Sequence, residues 1–394
     1  MTPAQRKAAC LILEGLNAFA CAYYFNYLFF LLRDQFGFGN LGNLLISAMH
    51  GLIYVCSAWF GGRFAQRHGY FTALRLGSAG MSVVLLVGSA FPTVAGQVLT
   101  LAGWTFMMCF TWPALEALVS EGESAERLPK MIGLYNVVWA GSSAVAYFSG
   151  GALFEWLGVK SIYWLPAALY AALFGGASWL AKQPGSTSPR SHSAAALSHT
   201  PEPEAFRQPV SPAIFLKMAW LANPFAYIAI NTVLAVIPQL AAKLHLSTTE
   251  TGIFCSLWFF VRLGAFVLLW QWTKWHYKFR WLLAAFIALI ASFTTLLLAG
   301  QLWLLVLAQI VFGLATGLIY FSSLFYSMDV GETKGEHGGL HEAAIGAGIF
   351  AGPAVGATAI WLAPASANAG TWAVSGLLVC GLAGLVALRL KRVS

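Results

Sequence analysis

Charged residues are scarce in this sequence. Asp, Glu, Lys and Arg make up 9% of its 394 residues, whereas a soluble domain carries roughly 25%. Sequence motifs of catalytic and metal-binding sites are also lacking. The six cysteines have neither metal-ligand spacing nor the pattern of a disulfide framework. No nucleophile elbow or phosphate-binding loop is found. These absences argue against a surface in contact with water alone, against an enzyme, and against a bound metal or cofactor.

Apolar residues are correspondingly abundant. Hydrophobic residues make up 59% of the chain, and its mean hydropathy is +0.72. Runs of about 20 apolar residues, each long enough to cross a ~30 Å hydrocarbon core as a helix, recur throughout. Continuous runs favour helices over the alternating strands of a barrel. The pattern predicts an all-α membrane protein with twelve transmembrane helices, over residues 8–32, 40–60, 72–91, 95–119, 130–153, 161–181, 213–241, 249–271, 279–299, 302–327, 339–362 and 369–389.

Positive charge is distributed unevenly between the loops. The formal net charge is +8, which could indicate a nucleic-acid partner. Assigning alternate loops to opposite sides, however, leaves all but four of the 22 Lys and Arg residues on one side; the exceptions are Arg33, Lys160, Lys243 and Arg262. This bias is the positive-inside signature. It predicts a multi-pass protein of a bacterial inner membrane with both termini in the cytoplasm, surrounded by lipid and binding no nucleic acid.

A single long polar segment interrupts the apolar pattern. Residues 184–212 are rich in Pro, Ser, Ala and His, and such a composition predicts a flexible linker. The linker separates a six-helix bundle over 1–183 from a second over 213–394. Asn17-Ala18-Phe19-Ala20 recurs 206 residues later as Asn223-Pro224-Phe225-Ala226, with further matches near that offset. The halves are therefore predicted to be pseudo-symmetric parallel repeats.

The loop between spans 2 and 3 carries a family resemblance. Gly62-Arg63-Phe64-Ala65-Gln66-Arg67-His68-Gly69-Tyr70 resembles the pattern Gly-x-Leu-Ala-Asp-Arg-x-Gly-Arg of the major facilitator superfamily, MFS. It keeps Gly62, Arg67 and Gly69, but Gln66 replaces the acidic residue. The resemblance implies a twelve-helix, 6+6 transporter that works by alternating access, in which this loop closes the cytoplasmic gate against the start of helix 11.

The start of span 11 is the expected partner of that loop. Because Gln66 has no charge, we expect Arg63 or Arg67 to contact Glu342 or Glu336 instead. Further along span 11, residues 348–356 resemble the Gly-x-x-x-Gly-Pro-x-x-Gly signature of MFS antiporters, with Gly352 and Pro353 at its centre. Small residues four apart allow close helix approach, and proline permits a bend. A packing face that also hinges is the expected role.

Ionisable residues within the spans are the candidates for a substrate and proton pathway, because charge is costly in the membrane. Arg262 lies about halfway along span 8 and must meet a carboxylate, water or an anionic substrate; a structural ion pair is the alternative. Glu14 shares a helical face with Asn17 in span 1 and could couple a proton, or could lie at the interface. His50 could titrate near neutral pH or be a neutral, hydrogen-bonded histidine. Glu116 is expected to pair with loop cations.

Uncharged groups complete the expected cavity. Asn136, Trp139 and Ser143 occupy one face of span 5 at i, i+3 and i+7. Aromatic and amide groups in other spans are expected to join this face: Asn26, Trp112, Asn231, Trp258, Gln309, Tyr320 and Tyr23. A lining of aromatic walls with few fixed charges suits a neutral or amphipathic organic solute better than a multiply charged anion.

The sequence therefore predicts a monomeric secondary transporter, proton-coupled or facilitative, that moves a small organic solute. One alternative is a receptor or scaffold on the same fold that does not transport. A large appended soluble domain would distinguish it, and these 394 residues include none. Another alternative is a membrane-embedded enzyme, which would need catalytic polar residues clustered near one interface.

Overall fold

The computed structural model describes residues 1–124, 127–183, 211–330 and 334–390. The linker predicted at 184–212 lies outside the described residues apart from its last two positions. The side chain of Glu336, one of the two acidic partners expected for the gate loop, also lies outside this description.

Helices dominate the described part of the chain, and twelve of its helical segments are long and apolar enough to cross a membrane. The predicted all-α, twelve-span architecture is confirmed. The α-helices are α1 Pro3–Phe36, α2 Asn40–His68, α3 Tyr70–Gly88, α4 Val94–Met108, α5 Trp112–Ser120, α6 Leu128–Trp156, α7 Ser161–Ala181, α8 Pro212–Lys243, α9 Thr248–Cys255, α10 Leu257–Gln271, α11 Phe279–Leu298, α12 Leu302–Val330, α13 Lys334–Leu362 and α14 Ala369–Leu390.

Two of the spans are each built from two helices. Span 4 contains α4 and α5, separated by residues 109–111, and Pro113 occupies the first turn of α5. Proline fits the first turn of a helix but not its interior, because it lacks an N–H donor. Span 8 contains α9 and α10, which meet at Ser256.

Local sequence explains where several helices begin and end. Thr2 and Gln5 form a capping box at the start of α1, and Ser247 and Glu250 form another at the start of α9. Each box satisfies backbone N–H groups that have no partner within the helix. Gly69, with φ of 91°, separates α2 from α3. A side chain is rarely tolerated at that φ, which explains the second glycine of the loop.

The helices pack in two groups, α1–α7 and α8–α14, joined through two main contacts. In the first group α1 packs on α6 and α7; in the second, α12 packs on α8, α10 and α11. Between the groups, α2 packs along α13, and α6 packs along α9 and α10. These two contacts leave space between the groups near the middle of the spans.

Close approach along α13 depends on glycine. A Cβ atom placed on Gly348 would lie 2.3 Å from the Pro224 carbonyl oxygen of α8, and one on Gly352 would lie 2.5 Å from the Ile228 oxygen. Real Cβ atoms do not approach backbone this closely, so side chains are excluded there. The small residues of α13 thus form a packing face against α8, with Pro353 inside the helix next to it.

Candidate functional site

A cavity of about 210 Å³ lies between the two helix groups. Helices from both groups contribute to its wall, which is rich in aromatic side chains. The polar members of the wall are Asn26, His50, Glu116, Asn136, Ser143, Asn231, Arg262 and Glu342. Pockets for drug-sized ligands measure about 300–1,000 Å³, so this cavity fits a smaller molecule.

The Arg262 guanidinium lies within a group of four aromatic rings, here called the aromatic cage. Its Cζ atom is 4.9 Å from the ring centre of Trp139, 5.1 Å from Tyr320, 5.5 Å from Phe266 and 5.9 Å from Tyr227. Each distance is within the range of a cation–π attraction. Trp139 belongs to α6 in the first group and the other rings to the second, so the cage is assembled from both.

Two of the three guanidinium nitrogens of Arg262 are left without a hydrogen bond by the cage. Its side chain is 5% exposed, yet Nε and Nη2 have no hydrogen-bond partner among the described residues. Trp258, one turn earlier on α10, is equally buried, and its Nε1 also has no partner in the described part of the chain. Both side chains line the cavity. One wall therefore presents three unpaired N–H donors.

Two carboxyl groups line the same cavity. Tyr54 of α2 donates a hydrogen bond to the Glu342 carboxylate of α13, which joins the two groups. Glu116 of α5 is the second carboxyl group. Tyr320 donates to Asn136 Oδ1 at 3.4 Å, another contact between the groups. The site thus combines one guanidinium, near the middle of span 8, with two carboxyl groups and several phenols.

Glu14 and Asn17 lie behind the cavity wall rather than in it. Both are fully buried in α1. Among the described residues, Asn17 Nδ2 has no hydrogen-bond partner, and the two Glu14 oxygens have none at ordinary hydrogen-bond distance and angle. Tyr135 acts on Glu14 through its hydroxyl and Glu116 acts through its charge, and both of these line the cavity. Glu14 is therefore one layer removed from the site and adjacent to it through Tyr135.

His50 lines the cavity and is held by Thr105. Its Nδ1 lies 2.8 Å from the Thr105 hydroxyl, which itself donates to the Leu101 carbonyl at 2.7 Å. Because a hydroxyl has one proton to donate, Nδ1 must be the donor to Thr105, which leaves Nε2 as an acceptor. The ring also packs on Phe25, with centroids 4.4 Å apart.

The predicted gate residues lie in two separate places. Gln66 and Arg67 are exposed near the end of α2, and Arg63 stacks over the Trp59 ring at 3.9 Å. Glu342 instead lines the cavity. The pairing of the loop arginines with an acidic residue of span 11 stays a prediction.

Polar contacts also join the helix groups at the end where α1 and α8 finish, called the far end from here on. Arg33 Nη1 donates to the Pro238 oxygen at 2.7 Å, and Gln239 Nε2 donates to the Phe38 oxygen at 3.0 Å. A third contact joins Glu155, at the end of α6, to Thr249, at the start of α9. These contacts hold the far end closed.

Sequence reasoning placed some residues differently. Glu116 lines the cavity, although its position near a loop favoured pairing with loop cations. Tyr23 does not line it; its hydroxyl lies 2.6 Å from the Ser161 hydroxyl inside the first group. Gln309 is buried away from the cavity, and neither polar atom of its amide has a partner within the described residues. Tyr54 was missed, although its spacing of four from His50 on α2 could have indicated it.

A family model and solved structures match this chain. The model of the Major Facilitator Superfamily matches residues 10–353. The nucleoside transporter NupG is 15% identical with a TM-score of 0.69, over 98% of this chain and 99% of that one. The human organic anion transporter MFSD10 (TETRAN) is 15% identical, with a TM-score of 0.68 over 98% and 100%. A variant of the peptide transporter POT in complex with alafosfalin is 15% identical, with a TM-score of 0.74 over 97% and 94%. No curated protein sequence matches significantly.

The chain has the fold and the central cavity of a membrane transporter. It belongs to the major facilitator superfamily. The predicted family is confirmed, and the prediction of a multi-pass membrane protein that acts in transport is supported. At 15% identity the solved structures show a common fold and do not identify what this chain carries.

Proposed function

We propose that this chain is a proton-coupled secondary transporter of a small organic solute. The observation that carries the proposal is the cavity between the two helix groups, which is lined by ionisable groups, with Arg262 near the middle of span 8. Charged groups at this depth are costly and are retained for function. Alternating access would expose the cavity first on one side and then on the other, as the two groups rock against each other.

The two groups are proposed as the moving bodies, with boundaries at 1–183 and 213–394. The far-end contacts support a state closed on that side, because Arg33, Gln239 and Glu155 each join one group to the other there. Opening would break these three contacts and would require replacement contacts at the opposite end. The loop carrying Arg63 and Arg67 is the proposed source of those replacements, with Glu342 or Glu336 as the partner.

Glu14 is the proposed proton-coupling group. It is fully buried, and its oxygens have no hydrogen-bond partner at ordinary distance and angle among the described residues; burial without such a partner is costly for a carboxyl group. Tyr135 and Glu116, which act on it, line the cavity and offer a route for a proton. Tyr135 interacts in turn with Tyr320 and Glu342 of the second group, so movement between the groups would change the surroundings of this route. A difference in proton affinity between states is what coupling requires.

The test is uptake into proteoliposomes, with and without an imposed pH gradient, of solutes selected by thermal shift. Glu14→Gln should abolish accumulation driven by the gradient and leave solute exchange largely intact. Glu121→Gln, which removes an exposed carboxylate in the loop after α5, is the matched control. Full accumulation by Glu14→Gln would rule this carboxyl group out as the coupling site. Solute uptake that never exceeds equilibration in the wild type would favour a facilitative carrier, and no flux at all would favour a receptor.

The proposed location is a bacterial inner membrane with both chain ends in the cytoplasm, and the protein is proposed to act as a monomer. The asymmetry of Lys and Arg between the loops supports this orientation. A cysteine introduced at Ser188 should then react with membrane-impermeant maleimide only after the cells are opened. Labelling in intact cells would show that the chain has the opposite orientation in the membrane.

A further inference from the structure

We propose that the cavity binds an organic anion with one negative charge, held at its carboxylate by Arg262 and Trp258, with a flat apolar body against the aromatic wall. This inference rests on the proposed function, since it names the class of solute that the transporter would carry. Three features of the site support it in turn: the unpaired donors, the opposing charges and the shape of the wall.

The unpaired donors specify the chemistry of the ligand. Nε and Nη2 of Arg262 and Nε1 of Trp258 are buried N–H groups without partners among the described residues. Buried donors are nearly always hydrogen-bonded in proteins, and leaving one unsatisfied is costly. The two side chains are four residues apart on α10, so they present their donors on one helix face. A planar carboxylate accepts from the fork of a guanidinium and can accept a further bond from an indole.

The aromatic cage prepares the guanidinium for this role. Cation–π attraction to Trp139, Tyr320, Phe266 and Tyr227 favours the charge at a position where water is largely excluded. The described residues leave Nε and Nη2 of the guanidinium without a hydrogen bond, so both remain for a ligand. Arginine is suited to this arrangement because its group is planar and remains charged.

Charges elsewhere in the cavity limit the ligand to one negative charge. Glu116 and Glu342 line the same space as Arg262. A second carboxylate on the ligand would meet these carboxyl groups without a second guanidinium, since Arg262 is the only Arg or Lys in the wall among the described residues. Like charges in a low-dielectric site repel strongly. A dianion is therefore excluded, whereas a monoanion is matched by the arginine.

The rest of the wall selects the body of the ligand. Large aromatic side chains such as Trp112, Trp139, Trp258 and Phe259 surround the space. Burial of apolar surface against them contributes roughly 25 cal/mol for each Å², and flat rings stack well on aromatic faces. The volume of about 210 Å³ restricts the body to a size near one ring or a short chain.

The test measures binding of matched acids and amides to the purified full-length chain. The probes are benzoate and benzamide, 3-phenylpropanoate and 3-phenylpropanamide, and hexanoate and hexanamide. Quenching of tryptophan fluorescence and thermal stabilisation are recorded for each. We expect at least one acid to bind and its amide to bind at least about 10-fold more weakly, as hydrogen bonds to charged groups predict.

Variants assign the effect to the proposed donors. Arg262→Gln should weaken acid binding by at least about 10-fold and remove the preference for acid over amide. Arg262→Lys should restore part of the preference, because it keeps the charge but not the fork. Trp258→Phe keeps the ring and removes one donor, so it should weaken acid binding by about 3- to 10-fold. Arg75→Gln removes a half-buried arginine of α3 that bonds its own helix at Phe71 and should change nothing.

Several results would overturn the inference. The inference is wrong if the amides bind the wild type as tightly as their acids. It is also wrong if the acids bind Arg262→Gln as tightly as they bind the wild type, or if no acid binds at millimolar concentration. The comparison of acid with amide on the wild type does not depend on any variant folding. Acid binding without flux in proteoliposomes would support this binding site and refute the proposed transport. Flux of neutral solutes without acid binding would support transport and refute this binding site.

Discussion

The contact between Glu155 and Thr249 offers a direct test of alternating access. Glu155, the next-to-last residue of α6, accepts hydrogen bonds from the backbone N–H and the hydroxyl of Thr249, at 3.1 Å for the backbone bond. Thr249 is the second residue of α9, where backbone N–H groups lack partners within the helix. A carboxylate from one helix group therefore caps a helix of the other, and in the proposed cycle this contact would exist only while the far end is closed.

The magnitude follows from the geometry. A hydrogen bond typically contributes about 0.5–1.5 kcal/mol, and a carboxylate at a helix N-terminus contributes about 0.3–1 kcal/mol. Glu155 is exposed, so solvent screening keeps the sum near the lower limits, at about 1–2 kcal/mol. Glu155→Ala should remove this contribution from the closed state alone. The ratio of far-end-open to far-end-closed molecules should rise by about 5- to 30-fold.

Distances between spin labels at the far end can measure that ratio. Labels at Pro92 and Gly300, in exposed turns between spans 3 and 4 and between spans 9 and 10, report separation of the groups without touching the contact. In a cysteine-free background, Glu155→Ala should transfer population from the shorter to the longer distance. The same change should accelerate labelling of the cavity from the far side.

Glu250→Ala is the matched control. Glu250 accepts from the backbone N–H of Ser247 in the capping box of α9, so its removal perturbs the same helix start without touching the other group. An unchanged distance distribution in Glu155→Ala would refute the reasoning. An equal shift in Glu250→Ala would show that loosening of α9, rather than loss of the contact between groups, is the cause.

Two further predictions concern stability. Gly348→Ala should lower the unfolding temperature, because the added Cβ would lie 2.3 Å from the Pro224 oxygen and overpacking costs about 1–3 kcal/mol. Gly264→Ala is the control and should not lower it, because nothing lies within 4 Å of the added atom. Equal unfolding temperatures for the two variants would contradict the close approach. Burial lowers the pKa of His276, in the loop after α10, although Asp329 opposes the shift. The unfolded chain then binds a proton more readily, so stability should fall as pH drops through the ordinary value of about 6.5. His276→Phe, which preserves the stack on Phe325, should reduce this fall in thermal unfolding, whereas an identical pH profile would contradict the assignment.

Hydropathy predicted the twelve spans, and helical periodicity predicted which residues share a helix face. The spans were predictable because crossing a bilayer imposes a length and an apolar composition that are visible locally. The same holds for Asn136, Trp139 and Ser143, all of which line the cavity. Their spacing on one unbroken helix decides that they share a face, whatever the rest of the fold does.

The location of Glu116 and Glu14 could not be predicted in this way. Glu116 lies near the end of span 4, and nearness to a loop does not reveal that its side chain lines the cavity. Helix α1 is buried on almost every side through its middle, and no polar face reveals which side meets the cavity. Glu14 was expected to face the cavity, and its position behind the wall depends on the packing of α6. The far-end contacts to the Pro238 and Phe38 carbonyls use backbone atoms, which no sequence pattern marks.

The aromatic cage links ligand binding to movement of the two groups. Trp139 is the ring nearest to the guanidinium and the one member of the cage that comes from the first group; Tyr227, Phe266 and Tyr320 would travel with Arg262. If the groups separated along α6 and α10 in the proposed cycle, Trp139 would leave and the guanidinium would lose the nearest of its four rings. An anion at Arg262 would therefore meet a different environment in each state. A ligand shifts an equilibrium only through differential affinity. Because the cage is completed across the interface, the affinity for the anion would differ between the two states, and a bound anion would favour one of them.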